Sequence, residues 1–143
     1  MKKILLLVVP LLFLCLNNGI CKENKIEVID TVIYATPPNA KNGSFFATIK
    51  NLTKNDIVLT NVESDICNVC EIHTHIKENN MMKMVPVKEF KIGALDEKKL
   101  VSGGDHIMLI GLKKPLKAGD NIKIKLIFNN KDIVEKIVKV EKK

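Results

Sequence analysis

From residue 26 onward, apolar side chains recur mostly at every second position, in runs of five to ten residues bounded by turn-forming residues. A period of two belongs to strands with one buried face, because successive side chains of an extended chain point to opposite sides. The pattern predicts eight strands, over 26–35, 44–51, 57–63, 70–77, 82–90, 106–110, 121–128 and 133–140. Between them lie Pro37-Pro38-Asn39, Lys41-Asn42-Gly43, Glu78-Asn79-Asn80, Ser102-Gly103-Gly104 and Lys117-Ala118-Gly119-Asp120, where glycine and asparagine supply the positive φ angles of tight turns. Helical spacing is hard to find. Many short strands without intervening helices argue for an all-β fold, an antiparallel sandwich or barrel.

The first residues break this pattern. Lys2 and Lys3 precede a 13-residue apolar run from Ile4 to Leu16, and the small residues Gly19 and Cys21 follow, which is the layout of a secretory signal peptide. The run is shorter than the roughly 20 residues that cross a bilayer, and it contains Pro10. A cut near Cys21 makes residues 1–21 the signal and residues 22–143 one domain, a size that closes a single hydrophobic core. Two alternatives stay open, an uncleaved anchor or a lipid on Cys15 or Cys21, although the bulky Leu14 and Ile20 fit a lipoprotein signal poorly.

The whole chain carries a net charge of +7, and residues 1–21 contribute two lysines and no acidic group to it. Every basic residue is lysine, and tryptophan is absent. Nucleic-acid readers use the planar fork of arginine and aromatic stacking platforms, so the charge reads as a solvated lysine surface rather than a nucleic-acid site. Membrane contact is expected only through the signal segment.

Candidate chemistry is concentrated in two windows. His73 and His75 share one face of their strand, Met82 and Met84 share a face of the next, and the Asn79-Asn80 turn suggests a hairpin that sets these faces side by side. His106 and Met108 form a third same-face pair after Gly103-Gly104. Imidazole and thioether groups from three strand segments suit copper, and Cu(I) above all. Thioether sulfur is a soft, neutral donor that Mg²⁺ and Ca²⁺ avoid, and zinc sites draw on cysteine, histidine and carboxylate instead. A neutral donor set also favours the monovalent ion over the divalent one.

The spacing of His73, Met84, His106 and Met108 resembles the H-x10-M-x21-H-x-M signature of the periplasmic copper chaperones called PCu(A)C. The segments around Ala35 to Gly43, Met82-Lys83-Met84-Val85-Pro86-Val87 and Gly104-Asp105-His106-Ile107-Met108 are similar too, so the resemblance covers nearly the whole mature chain. It implies a cupredoxin-like, Greek-key β-sandwich in the periplasm that is not an enzyme. It further implies Cu(I) binding through those four residues and delivery to a copper acceptor, such as a cytochrome c oxidase subunit or another copper chaperone. The His/Met-rich tail of some members is missing, which leaves open a second, Cu(II)-type site with His75 as the nearest spare imidazole. Met82 is a further candidate ligand, with packing as the plainer reading.

Cys67-Asn68-Val69-Cys70 departs from that family's pattern. Buried thiols, a disulfide and copper ligation all remain open for it. A thiol-disulfide reductase using Cys67 and Cys70 is the runner-up function, and a metal-free β-sandwich binding module is the other. Redox CxxC motifs normally open a helix, and none is apparent here. A blue-copper site is not expected, because no cysteine follows Cys70 to supply its thiolate.

Overall fold

The computed structural model describes residues 25–143, so the expected signal segment, its cut and any N-terminal anchor lie outside the described residues. The described residues form ten strands: β1 (Ile26–Tyr34), β2 (Asn42–Asn51), β3 (Ile57–Glu63), β4 (Cys67–Glu78), β5 (Met81–Val87), β6 (Phe90–Ile92), β7 (Glu97–Leu100), β8 (His106–Leu112), β9 (Asn121–Phe128) and β10 (Ile133–Glu141). They hydrogen-bond in the order β5-β4-β8-β2-β1-β10-β9-β3-β6, with β7 also on β2. Strands β5, β4, β8, β2 and β1 make one layer, β10, β9, β3 and β6 the other, and β3 packs against β4 where the layers face each other.

The fold is all-β, as expected, with one departure from an antiparallel arrangement. The first and last strands run parallel, pairing Ile33 with Val140 and Tyr34 with Glu141. Their connection is nearly the whole domain, so no tight turn dictates an antiparallel partner. Two short strands were not expected. Phe90 does not extend the preceding strand but starts β6 on the opposite layer, paired with Leu59. β7 has the sequence Glu97-Lys98-Lys99-Leu100, in which only Leu100 is buried, and one apolar residue gives no readable period. The strand expected to start at Cys70 begins at Cys67, and the one ending at Ile110 runs to Leu112.

Alternation decides what the core contains. Ile72, Ile107 and Phe45 point inward from neighbouring strands of the first layer and meet Leu59, Ile124, Leu126 and Phe128 of the second. Burying each such side chain stabilises the fold by about 1.5–3 kcal/mol. The intervening residues His73, His106 and Phe46 therefore face outward from the same strands. The core locks the register, and the register places the histidines.

Candidate metal centre

His73 and His106 are directly opposite each other on β4 and β8. Opposed residues on one face bring their side chains within contact range, and these two rings lie 5.8 Å apart. The hairpin linking β4 to β5 is closed by two residues, with Asn79 at φ 50° and Asn80 at φ 62°, the conformation that matches strand twist. Its register sets Pro86 opposite His73, Met84 opposite His75 and Met82 opposite Lys77. On the other flank, Met108 stands between Glu71 of β4 and Ser44 of β2.

These pairings arrange the expected donors in rows across the outer face. The His73–His106 pair occupies the middle row, Met108 the row on one side and Met84 the row on the other. Rows on one face are about 7 Å apart, within reach of an unbranched methionine with three rotatable bonds. Met82 is one row farther from the histidine pair and 63% exposed. His75 joins the cluster, its ring 5.6 Å from that of His106.

Hydrogen bonds assign the ring nitrogens. The Gly104 carbonyl accepts at 2.8 Å from His106 Nδ1 and at 2.9 Å from His75 Nδ1. A carbonyl only accepts, so both rings carry a proton on Nδ1, and in the neutral form of each the lone pair is on Nε2. His73 has the reverse arrangement. Its Nε2 lies 2.8 Å from the Glu71 carboxylate, and its Nδ1 is buried without a hydrogen-bond partner among the described residues. A buried nitrogen left unpaired is costly, and a neutral imidazole lone pair is what a metal ion takes up. On this observation the cluster fits a metal.

The ring burial explains how an outward-facing cluster stays ordered. His73 is 9% and His106 4% exposed, the latter packed 6.2 Å from the Phe46 ring, which in turn lies 6.1 Å from Tyr34. Behind them, Asp105 accepts hydrogen bonds from Thr74 Oγ1 and Lys98 Nζ, which fixes the Gly103-Gly104 turn. Partial burial pushes the Asp105 carboxyl up, but the bonds from Lys98 and Thr74, with the nearby Lys98 and His106 charges, outweigh it and hold the group below the usual carboxylate range. Met84 is different, at 45% exposed, whereas Met108 is half-buried with its sulfur 3.5 Å from Ser44 Oγ.

Among the described residues, no three His, Cys, Asp or Glu side chains form a metal-holding group. Thioethers would therefore have to complete the donor set, which favours a soft ion and disfavours zinc. Sequence reasoning missed Glu71, the Gly104 carbonyl and Ser44. Glu71 carries a readable signal, since it shares the strand parity of His73, whereas Ser44 acts through cross-strand register and the Gly104 carbonyl through a local bond to His106 and a cross-strand bond to His75.

Cys67 and Cys70 lie apart from this face. Their thiols are unlinked, with the sulfurs 3.4 Å apart, and neither joins the histidine cluster. Burial pushes the Cys70 thiol far up, and the adjoining Cys67 adds to the shift.

The family model described as "Putative lipoprotein LpqE-like" matches residues 26–140. A curated relative, "Putative lipoprotein Lxx21020" of Leifsonia xyli subsp. xyli, is 33% identical over 86 residues, 59% of this chain and 52% of its own. The chain spans about half the length of the curated relatives it matches. Among solved structures, the copper-bound PCuAC domain from PmoF2 superposes with a TM-score of 0.71 at 17% identity, covering 83% of this chain and 94% of that one. The CuI-DR1885 structure from Deinococcus radiodurans has a TM-score of 0.63 at 25% identity, covering 85% and 83%.

Proposed function

The chain belongs to the LpqE-like (PCuAC) family, and from that membership and the donor cluster we propose that it is an exported carrier that binds Cu(I) and passes it to another protein. One observation carries the reading: two buried imidazoles face each other with a thioether on either side, and one imidazole nitrogen has no partner among the described residues. The names of its structural neighbours support copper, since one is copper-bound and another is a CuI form.

In this reading His73 and His106 form the fixed part of the grip, and Met108 and Met84 complete it. Copper is the cargo, so the grip must also open. Met84 projects from the exposed hairpin and is the donor that an incoming ligand can replace first. A lipoprotein-like relative supports export, and the periplasm is the compartment we propose. The acceptor is proposed to be the copper centre of cytochrome c oxidase or a second carrier. His75, which faces Met84, is proposed as a supporting donor, and Met82 as part of an outer thioether rim.

A reductase built on Cys67 and Cys70 is disfavoured. Such enzymes attack through a thiolate, and the Cys70 environment opposes ionisation.

Replacing Met84 and Met108 together by leucine keeps volume and removes both sulfurs. The expected result is a Cu(I) affinity at least about tenfold lower in a competition titration, with loss of the sulfur shell in X-ray absorption and an unchanged fold. Undiminished affinity would refute the assignment.

A further inference from the structure

In a regular strand, residues three apart send their side chains to opposite faces. Cys67 and Cys70 break that rule, because their sulfurs lie 3.4 Å apart. The facing strand accommodates the irregularity. Asn68 between them lies against Gly111, which has φ 69°, and a Cβ at Gly111 would fall 2.5 Å from Asn68 Nδ2. The two sulfurs also differ in access. Cys67 is 4% exposed inside the core, whereas Cys70 lines the groove between β3 and β4 beside Asn61 and Val62.

We propose that Cys67 and Cys70 form a thiol-disulfide exchange site, closed in the exported protein by an oxidant that is itself a disulfide and that enters at Cys70. Cys70 Sγ loses its proton and attacks the oxidant's S–S bond, giving a mixed disulfide and releasing one thiol. Cys67 Sγ loses its proton, attacks the Cys70 sulfur and expels the second thiol. The two electrons and two protons lost by the cysteine pair appear as the two thiols of the reduced oxidant. Closure draws the sulfurs from 3.4 Å to a bond of about 2.05 Å.

Electrostatics favour this product over a bound soft metal. Burial, the adjoining Cys67 and then the Glu63 charge all oppose a thiolate at Cys70. A two-thiolate metal site would place two anions there, whereas a disulfide is neutral and apolar. The same opposition slows exchange, so the pair closes once rather than turning over. One consequence rests on the carrier reading: thiolates are stronger Cu(I) donors than thioethers, and closure removes a competing copper sink three residues from His73.

The test begins with wild-type full chain, exported and purified without reductant, then unfolded and alkylated with iodoacetamide. The expected result is no label on the peptide carrying Cys67 and Cys70 before reduction and two labels after it. Reduced, folded Cys67→Ser should form a mixed disulfide with oxidised glutathione about tenfold faster or more than Cys70→Ser, because only Cys70 is reached from the groove. Two labels without reduction, equal rates for the two variants, or a stoichiometric metal that both serine variants lose would each overturn the proposal. Failure of the carrier reading would show instead in the Met84/Met108 variant and would leave the alkylation pattern unchanged.

Discussion

The Gly104 carbonyl receives two imidazole protons because the turn that carries it is held from behind by Asp105. Asp105→Ala removes the acceptor for Thr74 and Lys98 and is expected to cost about 1–3 kcal/mol in denaturant titration. The acid limb of stability should change as well. The Asp105 carboxyl is more acidic in the folded chain than in the unfolded one. Its contribution is therefore fully present above the unfolded value of about 4 and is lost as pH falls through the lower folded value. Asp105→Asn should flatten that part of a plot of thermal midpoint against pH. At this scale the sequence announces donor types well. Histidine and methionine are scarce enough that their spacing is informative, whereas the sharing of one backbone carbonyl by His75 and His106 exists only after two strands have fixed their register. The unpaired Nδ1 of His73 has the same origin, since Glu71 takes the other nitrogen by sharing its strand face.

Among the elements, the strands with regular alternation were legible and the irregular ones were not. β9 carries a clear period, as do the parts of β4 and β8 that hold the histidines, and the Asn79-Asn80 hairpin follows from a residue type that, besides glycine, readily takes positive φ. β5 ends at Val87 because the chain crosses to the other layer over Lys88 and Glu89, a change of sheet that an alternating pattern does not register. Gly111 departs from regular strand geometry, with φ 69° and no room for a side chain beside Asn68. Gly111→Ala should lower stability by about 1–3 kcal/mol in chemical denaturation. Adding Asn68→Ala should restore only the steric part, because the backbone strain stays.

For the whole molecule, the two layers are joined where β1 meets β10, and Ile33 lies fully buried at that junction, opposite Val140. Ile33→Ala should cost about 2–5 kcal/mol and unfold both layers in a single transition, readable as coincident far-UV and near-UV signals. This junction was not legible in the sequence, since a pairing between the two ends of a domain leaves no local mark. The all-β class was legible, because alternation needs no knowledge of partners. The order of strands has a further consequence. Among the described residues β5 is a terminal strand with no neighbour on one side of its backbone, and that margin lies beside the donor cluster. It carries Lys83 and Pro86, and a proline offers no N–H to a visiting strand. A visiting strand would find one pairing position blocked at Pro86, and the exposed side chains of Met81, Met82 and Met84 are what this border presents beside it.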